Sequence, residues 1–204
     1  MLALDPSAAS IYAEIKDKYP IVLTRDMEKA KRWLHEKVRG TERTGVLITK
    51  ESARYKPLGV HVLQSDDENA IHWFLEDKED TRSSNYLEDA ATEIQVQGLE
   101  LDYTCLLWDA DMRYEDGQWH YYTFSNSKKW NELKADTESK QERMKYMLNA
   151  YRVLLTRARV GMVICVPEGN SHKTASGFWE DSTRLPEFYD GTYQYLKSMG
   201  LEVI

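Results

Sequence analysis

These 204 residues hold little that could cross-link or ligate a metal. There are only two cysteines, Cys105 and Cys165. Each falls inside an apolar run that reads as a buried strand, so both are expected to be reduced core thiols and not a disulfide. The five histidines, His35, His61, His72, His120 and His172, show no metal-ligand spacing with them. No Ser/His/Asp or Cys/His grouping is legible either. No apolar run approaches the roughly 18 residues of a membrane span. The opening Met1-Leu-Ala-Leu-Asp-Pro6 lacks the basic start and apolar stretch of a signal peptide, so the expectation is a cytoplasmic protein without a membrane partner. A G-x-x-x-x-G-K-[ST] phosphate loop is also missing. The nearest glycine pair, Gly40 and Gly45, has no lysine after it.

What is present is ordinary in bulk and specific in detail. Apolar residues make up 42% and charged residues 30% of the chain, as in a globular domain with a sizeable core. A net charge of −7 argues against nucleic-acid binding by the whole surface. Small basic clusters remain at Lys128-Lys129 and at Arg152, Arg157 and Arg159.

Along the chain, residues 6–18 pattern as a short helix that Pro20 ends, and Ile21–Thr24 follows as a strand. Asp26 opens a charged helix to about Arg39, with Ala30, Trp33, Leu34 and Val38 on one face. Gly45–Thr49 reads as a second strand, with a helix expected from about Glu51. Strand, helix and strand at these lengths suggest parallel α/β architecture. Residues 60–90 are less legible, apart from a short helix over Ala70–Leu75 and a polar loop over 76–85. Tyr103–Trp108 is a strand almost without polar residues, as one covered on both faces should be.

Asp116-Gly117 is a hairpin turn signal, and Trp119, Tyr121, Tyr122 and Phe124 after it are strand formers. With Trp130, isolated in a polar stretch over 126–141, these aromatics could stack bases. Cross-strand packing of the hairpin itself is the favoured role. Asp109 and Asp111 could suggest a metal pair, but acidic residues at a strand's end are often plain loop residues. From about Lys140 to Arg157 a helix is apolar on two sides. Met144, Leu148, Tyr151, Leu155 and Ala158 form one stripe, and Tyr146, Ala150 and Val153 lie opposite, so burial on both sides is expected. Gly161–Pro167 reads as the last core strand, and a helix near Thr192–Ser198 stops before Gly200.

Two segments carry chemistry. Tyr151-Arg-Val-Leu-Leu-Thr-Arg-Ala-Arg159 places arginines between a helix and an apolar strand. Phosphoryl transfer needs positive charge at the γ-phosphate, and an arginine reaching across a domain interface supplies it. The plainer reading of Arg157 is a cation at a helix C-terminus. Arg152 and Arg159 would hold local structure or touch a nucleic-acid backbone. In Thr92-Glu-Ile-Gln-Val-Gln-Gly-Leu-Glu100, Gly98 lets backbone approach a ligand, Gln97 lies beside it, and Glu100 can accept hydrogen bonds from ribose hydroxyls. Thr92, Glu93 and Gln95 are expected as interface or nucleic-acid contacts.

Together these two segments resemble motifs V and VI of superfamily 1 helicases. Further segments occur in order: Leu23-Thr-Arg-Asp26, Asp80-Thr-Arg-Ser-Ser84, Val166-Pro-Glu-Gly169, Asp181-Ser-Thr-Arg184 and Tyr189-Asp190. The series is similar to the C-terminal half of the bacterial Schlafen-like DNA/RNA helicase domain family, over about residues 20–204. The resemblance implies an α/β, RecA-like three-layer domain with a mostly parallel sheet and an aromatic hairpin inserted at about 110–140. Residues 1–19 would be a helical remnant of an interdomain connection.

It further implies that Arg157 is an arginine finger, with Gln97, Gly98 and Glu100 at the nucleotide. Arg25 and Arg82 occupy family positions as nucleic-acid or interface contacts. ATP and Mg²⁺ would bind only together with a phosphate-loop domain not contained in these residues, and DNA or RNA would be the track. The isolated chain is expected to be inactive. The rival expectation is a non-catalytic interaction module that keeps the fold.

Overall fold

A computed structural model of the chain describes residues 1–5, 7–63, 67–125 and 129–204; Lys128 of the expected basic pair lies outside them. The elements in order are α1 (Ala8–Ile15), β1 (Ile21–Thr24), α2 (Met27–Lys37), β2 (Thr44–Ile48), β3 (His61–Val62), α3 (Asp67–Leu75), β4 (Asp89–Thr92) and β5 (Leu101–Leu107). Then come β6 (Met112–Glu115), β7 (Gln118–Phe124), β8 (Trp130–Glu132), α4 (Glu138–Leu154), β9 (Ala158–Cys165), α5 (Glu187–Ser198) and β10 (Glu202–Val203).

Seven strands form one sheet in the order β10-β1-β9-β5-β2-β4-β3, and every pairing in it is parallel. Successive side chains of a strand face opposite sides, and the core divides accordingly. Leu23, Leu47, Leu106, Met162 and Ile164 join Tyr12, Trp73, Tyr151, Leu154 and Leu196 from α1, α3, α4 and α5. Val22, Val46, Cys105, Val163 and Cys165 join Ala30, Trp33 and Leu34 of α2 on the other face. Two covered faces explain why the central strands are almost wholly apolar. This is the layout of a RecA-like three-layer α/β domain. Both cysteines are free and buried, and burial pushes the Cys105 thiol up to about 12.

Between β5 and α4 a second, antiparallel sheet of β6, β7 and β8 is inserted. Asp116 and Gly117 form its first turn, both with positive φ. Trp119 stacks on Trp108 at 5.4 Å between ring centroids, and Trp119 and Tyr121 are both buried in the core. Trp130 is not isolated: it lies in β8, meets Phe124 edge-on and donates its indole N–H to the Thr183 carbonyl. The fully buried Met112 roots this sheet in the same core.

Several expectations are corrected. No helix starts at Glu51; that segment is a loop with one 3₁₀ turn over Lys56–Leu58. The N–H groups of Ala53 and Arg54 go to the Asp109 carboxylate and not to a helical ladder. The strands β3 and β4 were not anticipated, and β10 follows β9, so the Gly161–Pro167 run is not the last strand of the sheet. α4 ends at Leu154, which leaves Arg157 in the turn beyond it and Arg159 in β9. It is also buried on one face only, through Met147, Ala150, Tyr151 and Leu154. Tyr146, on the stripe expected to be buried, is 37% exposed.

Candidate functional sites at the two ends of the sheet

The segment 93–100 crosses the sheet from the C-terminal end of β4 to the N-terminal end of β5. At the N-terminal end it meets the turn between α4 and β9. The Leu101 N–H donates to the Arg157 carbonyl at 2.9 Å, joining the two segments backbone to backbone. The Arg157 guanidinium donates to the carbonyls of Leu99 at 3.2 Å, Val96 at 3.5 Å and Val153 at 3.1 Å. It therefore caps one carbonyl of the last turn of α4, that of Val153, while lying against the 96–99 turn, where a cation meets the negative end of the helix. Its Nη2 donates to the Thr156 hydroxyl.

Gly98 has φ +76° and its outer side is open, with nothing within 4 Å of where a Cβ would stand. Gln97 and Glu100 are exposed on either side of it. A glycine can hold this left-handed backbone without strain. Two exposed side chains, an open backbone turn and a half-buried guanidinium thus share one end of the sheet. Arg159 also lies here, bonded to the Asp102 carboxylate at 2.6 Å, and Arg152 donates to the Asn149 side chain on the exposed side of α4.

Thr92, Glu93, Gln95 and Arg25 lie at the opposite, C-terminal end. Thr92 donates its N–H and hydroxyl to the Gln95 side-chain oxygen, and the Gln95 amide donates to the Leu63 carbonyl. Glu93 is buried, accepting from the Lys50 N–H at 2.9 Å and the Tyr146 hydroxyl at 2.7 Å. A cavity of about 270 Å³ opens between these groups, lined by Thr49, Lys50, Tyr55, Leu63, Thr92 and Ile94. Arg25, after β1, is tied to Asp190 and to the Pro167 carbonyl and lies under the Tyr193 ring. Arg82 stands apart in the loop before β4, in a two-point pair with Asp80.

Asp109 and Asp111 organise this end. Asp109 accepts from the N–H groups of Ala53, Arg54 and Ala110 and from the Tyr189 hydroxyl. Asp111, fully buried, accepts from Thr49 at 2.6 Å and Tyr151 at 2.7 Å. Burial first, and the neighbouring Asp109 carboxylate second, push Asp111 up to about 7. The two aspartates tie the loop after β2 to α4 and α5. No cluster of three or more His, Cys, Asp or Glu side chains suited to a metal occurs among the described residues.

Arg113 has no counterpart in the sequence reading. Its guanidinium lies 3.8 Å from the ring centroids of both Tyr122 and Phe188, clasping the small sheet to α5. The aromatic residues around it were the available signal, but only their spatial pairing reveals the clasp. A depression of about 1030 Å³ around Arg43, Lys78 and Asn85 includes neither Arg157 nor residues 97–100. Its lining mixes both charges without converging on a point, so volume does not mark the chemistry here.

A parallel sheet covered on both faces, with the 97–100 turn and the Arg157 turn joined at one end, is the layout of the RecA-like class of α/β domain. Residues 2–168 match the model of the Schlafen group 3 DNA/RNA helicase domain, and the chain belongs to that family. The match begins before α1 and ends just after β9, leaving α5 and β10 beyond it. No curated protein and no solved structure matches the chain. No helix among the described residues is long and apolar enough to cross a membrane.

Proposed function

We propose that this chain is the second RecA-like domain of a superfamily 1-like, nucleic-acid-dependent ATPase. It supplies Arg157 and the Gln97–Glu100 turn to a phosphate-loop domain carried elsewhere in the polypeptide or in trans. The observation that carries the reading is the junction of two distant segments: the Arg157 guanidinium lies 3.2 Å from the Leu99 carbonyl, beside an open Gly98 and an exposed Glu100. The residues fit a nucleotide presented from outside. Glu100 can accept from ribose hydroxyls, the Gly98 backbone can approach closely, and Arg157 can exchange a carbonyl for a phosphate oxygen. ATP supplies the transferable phosphoryl group. Mg²⁺ would be held by acids of the phosphate-loop domain, and the C-terminal end of the sheet would face DNA or RNA.

The test combines the chain with a phosphate-loop domain of the same family and measures ATP turnover. Arg157→Ala is expected to lower kcat by about 10³-fold or more. Nucleotide affinity should change far less, because the finger meets charge that develops in the transition state. Arg157→Lys should rescue poorly for want of the planar fork. The isolated chain should release no phosphate above background. Melting curves separate the cap from the finger: an unchanged kcat with a lowered melting temperature would leave Arg157 a helix cap and favour the interaction-module reading.

A further inference from the structure

Beyond β9 the chain makes a second hairpin, at the same end of the sheet as the loop that follows β2. Lys173 pairs with Trp179, Thr174 N–H donates to the Phe178 carbonyl at 2.8 Å, and Glu180 N–H to the His172 carbonyl at 3.0 Å. Every residue from 171 to 180 is exposed. The base is anchored: Asp181 pairs with Arg54 at 2.8 Å, and the Thr183 carbonyl accepts from Trp130 at 2.9 Å. Phe178 is 73% and Trp179 41% exposed, and Phe178 is the most exposed large hydrophobic side chain among the described residues. The hairpin also lies outside the residues matched by the family model.

Three features indicate what covers it. Lys173 Nζ stands 4.5 Å from the Trp179 ring centroid, so a cation and an aromatic face are presented together. The tip of the hairpin, residues 171–179, carries Lys173 and no Asp or Glu in a chain of net charge −7, while Glu180 stands at its base, so an anionic polymer meets a cation at the tip. Adjacent residues of extended backbone face opposite sides, so Phe178 and Trp179 offer one ring on each face of the ribbon. A protein partner would call for one contiguous apolar patch; two separate rings, one of them beside a cation, suit single bases of a strand passing over the ribbon.

We propose that the 171–180 hairpin binds single-stranded nucleic acid, stacking bases on Trp179 and Phe178 while Lys173 meets the phosphate backbone. The site does not depend on Arg157 or on nucleotide binding. The test measures anisotropy of labelled oligothymidine, oligouridine and a mixed-sequence duplex with the 204-residue chain at low salt. The chain should bind a single strand more tightly than the duplex, and the tighter of the two homopolymers identifies the polymer. Phe178→Ala and Trp179→Ala should each weaken that binding by about tenfold, the scale of one base–aromatic stack. Trp179→Phe should retain most of it, and Lys173→Ala should lower the salt slope by about one. Because these side chains are exposed, the variants should melt as the parent does. Absent binding, unchanged affinity in the Phe178→Ala/Trp179→Ala double variant, or preference for the duplex would overturn the proposal. So would loss of self-association in sedimentation with oligonucleotide affinity intact, which would make the hairpin a contact between copies.

Discussion

Asp111 is the residue whose chemistry the fold changes most. Its carboxyl moves from 3.8 to about 7 because burial, and then Asp109, disfavour its charge. With a raised folded value, the folded state holds a proton that the unfolded state has released. The stability this provides is complete below the unfolded value and is lost as pH climbs from about 4 through about 7. Asp111→Asn, which stays neutral and still accepts from Tyr151, should therefore flatten this part of the stability profile. Thermal melts of both proteins across that range would show it; parallel profiles would mean Asp111 is ionised throughout. The sequence marks Asp111 as an acidic residue at a strand's end and nothing more. Its role depends on Thr49 and Tyr151, which lie far from it in the chain and meet it only after the sheet has formed. Arg157 is the reverse case: its surrounding string and the distant Thr92–Glu100 segment are paired by their resemblance to two motifs, and the structure joins them through the Leu101 N–H and the Arg157 carbonyl.

Among the elements, those with a strong local pattern were legible. Asp26 caps α2 by accepting from the N–H groups of Glu28 and Lys29, as an N-cap residue should, and β1, β2, β5, β9 and the Asp116-Gly117 hairpin fall near their expected positions. What was not legible shares a cause. β4 is only Asp89-Ala-Ala-Thr92 and β3 only His61-Val62, too short and too weakly β-forming to stand out. Yet β4 lies between β2 and β3 because tertiary pairing overrides propensity. Glu51 onward looked helical because its competitor, the Asp109 carboxylate, is out of local view.

α5 offers a sharper test of element packing. It lies so close to β6 that a Cβ on Gly191 would overlap the Tyr114 carbonyl, and beside this contact the Tyr114 N–H donates to Thr192 at 3.0 Å. Gly191→Ala, harmless in an isolated helix, should force α5 off the small sheet and cost about 2 kcal/mol or more, in the range of overpacked cores. Denaturant unfolding would measure it; a stability equal to the parent would mean α5 has room to slide.

At the scale of the whole molecule, the strand order carries a consequence for how the chain comes to be folded. β1 has two neighbours in the sheet, β9 and β10. Both come from far later in the chain, so α2 can form early but β1 cannot satisfy its backbone groups until residues after Ala158 exist. Closing so long a span costs entropy before any pairing returns it. On a ribosome, where the chain emerges from its N-terminus, the first strand made is among the last to be paired. A fragment ending at Arg157 should accordingly melt without a cooperative transition, as circular dichroism would report, whereas a retained sharp transition would require β1 to find another partner. The strand that follows Arg157 is thus also the one that locks β1 into the sheet.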